Sequence, residues 1–407
     1  MNEYRHISFG GAYDAGDFLY ASNGLFNGML KINKQTQKAE YTDRFFGESL
    51  LKQGLHHKVY RYKNELVFTP DNAVELHIYD LDCNKMQSYP LNIDTSKKSR
   101  CIDSFFDGEK IWLFYAYAEQ PIVIFDLRNH TQEVFGGIAD VLPQEIKERQ
   151  TPMLYSKLEK VGRKIYGAVW GSPHIIEFDM DLQKTEIYTL ENKETKLTGI
   201  AFDGEVFWLT ELDCAMVKSW HPHGETENIS APDVLTEAKG LVYCNIVCHD
   251  GKVFLIPNCG ENIFCVDKEN SRLSIFCKFP ENMQGFTDVR KTWRRFFNFD
   301  IVEDNILRLY PAGATMMVDI NVDTAEAQGY SFVLDDSWDD EKYMREIIFS
   351  HIDEETAQRY LPEAKEVDLH VYLEYVEKTE RDKADMLGDG IGKRIWNYVF
   401  GDKRSPE

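Results

Sequence analysis

Short hydrophobic segments recur along the chain at intervals of 42 to 54 residues, each introduced by a Gly or Asn turn. Three clear copies begin at Phe106, Val161 and Cys248. In each copy an apolar strand follows the turn, a gap follows that strand, and a second apolar strand ends in Asp. Short apolar runs bounded by turn residues predict β-strands. Four fainter copies bring the number of predicted repeats to seven.

The turn between the first two strands of each repeat sets the register. Its central residues are Gly16, Asn64, Gly108, Gly162, Gly204, Gly251 and Asn305. Gly and Asn tolerate the positive φ that a tight hairpin turn requires. The Asp that ends the third strand is expected to accept hydrogen bonds from the N–H groups of the next turn. Seven such repeats, each of four strands A to D, predict an all-β, seven-bladed β-propeller over residues 1–334.

The sequence leaves closure of this ring open, because the seventh repeat supplies four strands of its own. Either the ring closes by packing alone, or the segment Glu3 to His6 adds an edge strand. From Asp335 onward the β period ends and helical spacing replaces it, with Leu369, Tyr372, Leu373 and Val376 on one face. Residues 335–407 are therefore predicted to form an acidic, α-helical C-terminal extension that packs on the ring, on a partner or on a second copy.

Charge and composition narrow the classes of partner. The formal net charge is −22, from 68 acidic and 46 basic residues, which disfavours nucleic acid and anionic membrane surfaces. No apolar run approaches the roughly 20 residues of a membrane-spanning helix, and no secretory signal is visible at the N-terminus. The eight cysteines form no CxxC pair. These features predict an acidic, cytoplasmic protein with reduced thiols.

Polar residues near the start of strand A are expected to line the channel mouth, on the face where the D–A linkers and B–C loops emerge. The candidates for acid–base catalysis are His56, His57, Asp103 and Asp300. A histidine would act as the base, and Asp103 or Asp300 would orient it or hold a divalent metal. Neighbours on a strand point to opposite faces, so we expect one histidine of the pair to face the axis. The alternative is an ordinary water-filled channel.

Basic, aromatic and amide residues on the same face form a candidate ligand-binding set. Its members are Arg100, Lys157, Trp170, His174, Asn245, Asn258, Arg294 and Arg295. Cationic side chains attract anions, aromatic rings stack on sugar C–H groups, and amides bind hydroxyl groups. Acidic residues such as Glu191 and Glu194 share these linkers, so solvated loop charge is the alternative interpretation. For Trp170, the alternative is a role in capping the packing of its blade.

Common catalytic and nucleotide-binding motifs are absent, including GxGxxG, GxxxxGK[ST], HExxH and GxSxG. The repeats also lack the GH and WD dipeptides of WD40 repeats and the double glycine of kelch repeats. The turn–strand–strand pattern ending in Asp resembles the NHL and YVTN-like propellers, or the sugar- and antibiotic-lyase propellers, over about residues 5–333. This resemblance implies a propeller fold and assigns no catalytic residue.

Three functions remain open from the sequence. The first is a propeller that binds a glycan, an anionic metabolite or a protein on its D–A/B–C face. The second is a lyase or hydrolase acting on a sugar or cyclic peptide at the channel mouth, where Arg100 would neutralise developing negative charge. The third is an assembly factor recruited through residues 335–407.

Overall fold

The structure is a computed structural model, and its described part is the propeller region, residues 9–334. Within that range it leaves out residues 25, 50–51, 137, 150–151, 155, 223, 225, 231–239, 259, 282–295, 303–304 and 312–315. The predicted edge strand at Glu3 to His6, the residues Arg294 and Arg295, and the predicted helical extension at 335–407 lie outside the described residues. Of residues 296–298 and 334, only the backbone is described.

Seven antiparallel sheets follow one another along the chain, which confirms the predicted seven-bladed β-propeller. Blade one contains β1 (Phe9–Asp14), β2 (Phe18–Asn23), β3 (Met29–Asn33) and β4 (Lys38–Asp43). Blade two contains β5 (His56–Tyr62), β6 (Glu65–Pro70), β7 (Glu75–Asp80) and β8 (Lys85–Pro90). Blade three contains β9 (Cys101–Phe106), β10 (Lys110–Tyr115), β11 (Ile122–Asp126) and β12 (Thr131–Phe135). Blades four and five contain β13 (Glu159–Val161), β14 (Lys164–Ala168), β15 (His174–Asp179) and β16 (Lys184–Thr189); and β17 (Leu197–Phe202), β18 (Phe207–Glu211), β19 (Cys214–Trp220) and β20 (Thr226–Ile229). Blades six and seven contain β21 (Tyr243–His249), β22 (Lys252–Pro257), β23 (Asn262–Asp267) and β24 (Arg272–Lys278); and β25 (Phe296–Val302), β26 (Ile306–Pro311), β27 (Met316–Asn321) and β28 (Ala327–Ser331). A last short strand, β29 (Val333–Leu334), follows blade seven, and a 3₁₀ helix (Ile138–Val141) and helix α1 (Gln144–Lys147) lie between blades three and four.

The turn residues behave largely as the sequence predicts. Gly108 and Gly204 adopt φ of 97° and 101° in their A–B turns, whereas in blade two the positive φ of 54° falls on Lys63, next to Asn64. The Asp at the end of strand C caps the following turn, as expected. Asp126, for example, accepts hydrogen bonds from the N–H groups of Arg128 and Asn129 at 2.8 and 3.0 Å. These aspartates are therefore part of the scaffold.

Apolar side chains fill the spaces between blades, because each sheet presents both faces to its neighbours. Between blades three and four, Trp112 and Phe114 pack against Phe178 of the next blade. The short helices between these blades bury Ile138 and Ile146 against the same cluster. Burial of this area on both faces of every blade is the main favourable contribution to folding.

Blades one and seven meet through strand pairing, through aromatic packing and through a buried ion pair. Strand β29 pairs in parallel with β4, with Val333 opposite Lys38, so the sheet of blade one has five strands. Phe332 packs edge-on against Phe9 at 5.8 Å between ring centroids. The ring therefore closes by packing together with a strand from the C-terminal side of the repeats, which the repeat pattern did not predict.

A buried ion pair crosses the same seam. Arg308, which is 5% exposed, donates two hydrogen bonds to Asp319 at 2.6 and 2.7 Å and a third to Asp14 of blade one at 2.7 Å. Lys34 also binds Asp14, at 2.8 Å. Burial would raise the pKa of Asp14, but Lys34 and Arg308 hold the pKa of this carboxyl below its ordinary value.

We predict that Val333→Pro loosens this seam. The Val333 N–H donates to the Gln37 carbonyl at 3.1 Å, and proline has no N–H to donate. A loss of about 1–2 kcal/mol in the free energy of unfolding is expected, measured as a lower melting temperature by calorimetry. Val333→Thr is the control, because the side chain is 61% exposed and threonine keeps the N–H. Equal melting temperatures for the two variants would contradict this role of the hydrogen bond.

Candidate functional site

The two adjacent histidines of strand β5 point into two different interfaces between blades. His56 lies against Ser22 of blade one, and His57 lies against Ser104 of blade three. The faces of a propeller blade lie against its neighbours, so alternation along β5 sends each histidine to a neighbouring blade. The expectation that one of them faces the axis did not take this orientation of the sheets into account.

His56 is fully buried in a chain of hydrogen bonds. Nε2 of His77 donates to the Phe46 carbonyl at 3.0 Å, which leaves Nδ1 of His77 to accept from Nε2 of His56 at 2.9 Å. Nδ1 of His56 then accepts from the Ser22 hydroxyl at 3.1 Å. Burial, reinforced by His77, holds the pKa of His56 well below its ordinary value. Both rings are therefore neutral, and both nitrogens of each ring are hydrogen-bonded.

His57 is less completely buried, with 9% of its surface exposed. Its Nδ1 donates to the Pro70 carbonyl, and its Nε2 accepts from the Ser104 hydroxyl at 3.2 Å. Its Nε2 also lies 4.0 Å from a carboxylate oxygen of Asp103. Burial lowers the pKa of His57 to about 4, although the Asp103 carboxylate acts in the opposite direction. The structure thus brings together His57 and Asp103, two of the four predicted catalytic residues.

Asp103 is the centre of a charged cluster beside the channel. Its carboxylate binds the Lys58 ammonium at 2.5 Å and accepts from the N–H groups of Ser104 and Leu158 at 2.8 and 2.9 Å. Burial alone would raise the pKa of Asp103, but Lys58 and Lys157 hold it below its ordinary value. One carboxylate therefore ties together blades two and three and the linker into blade four.

Lys157 crosses the channel. Its ammonium donates to the Phe299 carbonyl of blade seven at 3.0 Å and lies 3.9 Å from the centroid of the Phe299 ring. Blades five and six separate blades four and seven along the ring, so this contact spans the axis. Asp300, the next residue of β25, lies near Tyr310, and its charge acts on Lys58. It therefore belongs to the same charged cluster.

Glu159 also belongs to this charged cluster. It was not among the residues predicted from the sequence. It lies on the inner strand β13, two residues after Lys157, and the Phe202 backbone donates a hydrogen bond to it. Burial raises the pKa of Glu159 to about 8, and the nearby Asp103 acts in the same direction. At neutral pH this carboxyl is mostly protonated. A lone carboxyl on an inner strand was the sequence signal that could have identified it.

The remaining predicted ligand residues fall at separate places. Arg100 forms a salt bridge with Asp71 of blade two, at 2.6 Å. Asn245 lies on β21 at 5% exposure, and the N–H of Asn258 donates to the Val242 carbonyl in blade six. None of these three contacts Trp170 or His174 within the described hydrogen bonds and ion pairs.

Trp170 and His174 come together with two cations at the linker-bearing face of blade four. Arg149, just after α1, donates to the Trp170 carbonyl at 3.0 Å. Burial lowers the pKa of His174, and among the neighbouring charges Glu145 opposes this while Lys193 and Arg149 reinforce it. These residues, Arg149, Trp170, His174 and Lys193, are named the blade-four patch below. Arg149 was not among the predicted ligand residues, because it belongs to an insertion outside the repeat.

Within the described ranges, no three His, Cys, Asp or Glu side chains form a group that could hold a metal ion. The divalent metal at the channel mouth therefore stays a prediction. In the same part of the chain, no helix is long and apolar enough to cross a membrane.

Comparison with known proteins supports the fold. No protein-family model matches the sequence, and no curated protein matches it. The structure is similar to virginiamycin B lyase from Staphylococcus aureus, with 10% identity, a TM-score of 0.52, and coverage of 76% of this chain and 94% of the lyase. It is also similar to the extracellular domain of the putative hybrid two-component system BT4673 from B. thetaiotaomicron, with 12% identity, a TM-score of 0.53, and coverage of 81% and 41%. The computationally designed Ika8 protein gives 9% identity, a TM-score of 0.51, and coverage of 83% and 92%. At these identities the likeness establishes the propeller fold.

We predict that Glu159 makes stability depend on pH. The folded protein keeps this proton up to about pH 8, whereas an unperturbed glutamate releases it near 4.5. Because the folded state binds the extra proton, stability falls as pH rises through this window. Glu159→Gln removes the titration, so the free energy of unfolding of the variant relative to the wild type should rise by about 1–3 kcal/mol from pH 5 to 8. Calorimetry would record this as a difference in melting temperature that grows with pH.

The matched control is Glu227→Gln, which removes an exposed glutamate. Its difference from the wild type should stay flat over the same pH range. A flat difference for Glu159→Gln as well would show that Glu159 titrates in the folded protein as it does in the unfolded chain.

Proposed function

We propose that this protein is a ligand-binding propeller whose blade-four patch recognises an anionic, sugar-containing molecule. The observation that carries the proposal is that Arg149 donates to the Trp170 carbonyl and that the charges of Arg149 and Lys193 both act on His174. Two residues of the predicted ligand-binding set thus come together with two cations, on the face that carries the linkers and the B–C loops.

The chemistry of the patch suits such a ligand. Arg149 and Lys193 supply positive charge for a phosphate or carboxylate. The half-buried Trp170 supplies an aromatic surface for the C–H face of a sugar ring. His174 stays neutral at pH 7 because its pKa is lowered, and its Nδ1 lies 2.9 Å from the Thr189 hydroxyl. Its imidazole can therefore hydrogen-bond a sugar hydroxyl without adding charge.

The contacts that fill the channel support binding at the blade-four patch. Asp103 already holds the Lys58 ammonium and two backbone N–H groups, and Lys157 is engaged by Phe299. A ligand that enters the channel would have to displace these contacts, and leaving either partner of a buried ion pair unpaired is costly. The blade-four patch presents no comparable barrier.

The proposal is tested by calorimetric titration with a hexose phosphate and with the same hexose lacking phosphate. We expect the phosphate to bind more tightly, and Lys193→Gln or Trp170→Ala to weaken its binding at least about tenfold, since each removes a charge or stacking contact of about 1.4 kcal/mol or more. Lys85→Gln, the same change of charge at an exposed position on another blade, is the control and should bind as the wild type does. Equal weakening in both lysine variants would mean that only the overall charge is sensed.

We propose catalysis in the channel as the second candidate, because burial raises the pKa of Glu159 to about 8 and the charges of the Lys58–Asp103 ion pair act on this carboxyl. A carboxyl of this kind suits a general acid or base. The structural neighbours include lyases, and one is a catalytically inactive virginiamycin B lyase solved with quinupristin, with 10% identity and a TM-score of 0.52. A lyase or hydrolase acting on a cyclic peptide is the form this activity would take.

Incubation with quinupristin, followed by chromatography and mass spectrometry, tests this candidate. An elimination product has the mass of the substrate, whereas hydrolysis adds a water. If the wild type opens the ring, Glu159→Gln should be slower by about 100-fold or more. A wild type that leaves quinupristin intact, or a variant with unchanged rate, would count against a catalytic Glu159.

A further inference from the structure

The residues that follow strand D contact the outer strand of the next blade at several junctions. After blade seven, the Val333 N–H donates to the carbonyl of Gln37, just before β4. After blade five, Ser230 bridges in parallel to Arg272, at the start of β24. Its N–H donates to the Ser271 carbonyl, and its carbonyl accepts from the Leu273 N–H at 3.0 Å. The same parallel contact is therefore made at two places around the rim.

Other junctions are filled by different groups. Between blades two and three, the Gln132 side chain accepts from the Asn92 N–H at 3.0 Å and donates to the Pro90 carbonyl at 2.7 Å. One side-chain amide thus takes the place of a peptide group. Between blades three and four, the 3₁₀ helix lies against β16.

The junction between blades four and five differs. Leu190 is buried, but the chain then turns away, because Asn192 accepts from the N–H groups of Glu194 and Thr195. In the part of the chain that the structure describes, no bridge joins the residues after β16 to β20. A cavity of about 180 Å³ lies in this position instead. Its lining consists of Tyr188, Thr189, Leu190, Glu191, Trp220, Gly224 and Thr226.

The edge of β20 has the register that the other junctions use. Thr226 pairs with Trp220 as Leu273 pairs with Val266 in blade six, and in both blades the strand C residue packs against the preceding blade. The N–H of Thr226 therefore takes the position of the Leu273 N–H, which donates to Ser230. An added strand in parallel would receive that hydrogen bond, and its neighbouring side chain would lie over the cavity.

Charge indicates what kind of strand fits. Glu191 lines the cavity, Glu227 is exposed on the edge strand beside it, and the whole chain has a net charge of −22. Tyr188 and Trp220 supply aromatic rings, 5.4 Å apart, that favour a cation between or above them. Lys193, whose ammonium donates to the Leu190 carbonyl at 3.1 Å, lies beside the cleft, and the two carboxylates outnumber it. Lysine or arginine would therefore meet net opposite charge here, whereas an acidic peptide would meet repulsion.

We propose that the rim cleft between blades four and five binds an extended, basic peptide segment of a partner protein. The segment adds in parallel to the edge of β20 and places a lysine or arginine side chain against Glu191, Tyr188 and Trp220. This site adjoins the blade-four patch, since His174 bonds the Thr189 hydroxyl and Lys193 donates to the Leu190 carbonyl, but it does not depend on the function proposed for that patch.

The test uses a labelled peptide of alternating valine and lysine, with a valine–glutamate peptide as its counterpart, in fluorescence anisotropy at 0.15 M salt. We expect the lysine peptide to bind at least tenfold more tightly than its counterpart. Hydrogen exchange with the lysine peptide bound should show slowed exchange in residues 226–229. The full-length protein is used throughout.

Thr226→Trp fills the cleft, and it should weaken binding of the lysine peptide at least tenfold. Thr131→Trp is the control, because Thr131 is exposed at the start of strand D in blade three, next to Gln132, which has the register position of Thr226 and already fills that junction. This control should bind as the wild type does. Unchanged binding by Thr226→Trp, equal weakening in both variants, or protection that lies elsewhere on the molecule would each overturn the proposal.

Discussion

Closure of the ring is the constraint on which the rest of the structure depends, because every blade is packed between two others. Only the seam between blades one and seven joins the two ends of the repeat region. There Arg308 binds Asp319 of its own blade and Asp14 of blade one. Breaking a buried pair of this kind by removing one partner typically costs about 3–5 kcal/mol. The pair therefore fixes the relative position of the two end blades, while the apolar contacts supply most of the stability.

The polar groups at the channel also bind partners on other blades. Asp103, Lys58 and Lys157 connect blades two, three, four and seven, and the Asp103 carboxylate pairs with the Lys58 ammonium. His56 and His57 are held as neutral rings on either side of blade two. Side chains that resemble catalytic candidates in the sequence thus act as ties between blades, and the surfaces that we propose for partners, the blade-four patch and the rim cleft, lie elsewhere.

The sequence was sufficient for the fold because the repeat encodes contacts within one blade. The capping role of Asp126 is an example, since its partners are two and three residues away. The site could be predicted only in part, because its contacts join different blades. Neither the pairing of His56 with Ser22, 34 residues apart, nor the reach of Lys157 to Phe299, 142 residues apart, has a local signal. Arg149 was missed because the short insertion that carries it has no counterpart in the repeat.

The distance in sequence between Asp14 and Arg308 also has a consequence for synthesis. The two residues are 294 positions apart, so blade one leaves the ribosome long before its partner exists. At about 5–20 residues per second, the interval is roughly 15–60 seconds. During that time Phe9 and the other apolar side chains on the outer face of blade one have no blade seven to cover them. The nascent chain therefore passes through an obligatory period of exposed hydrophobic surface, in which chaperone binding and aggregation compete with completion of the ring.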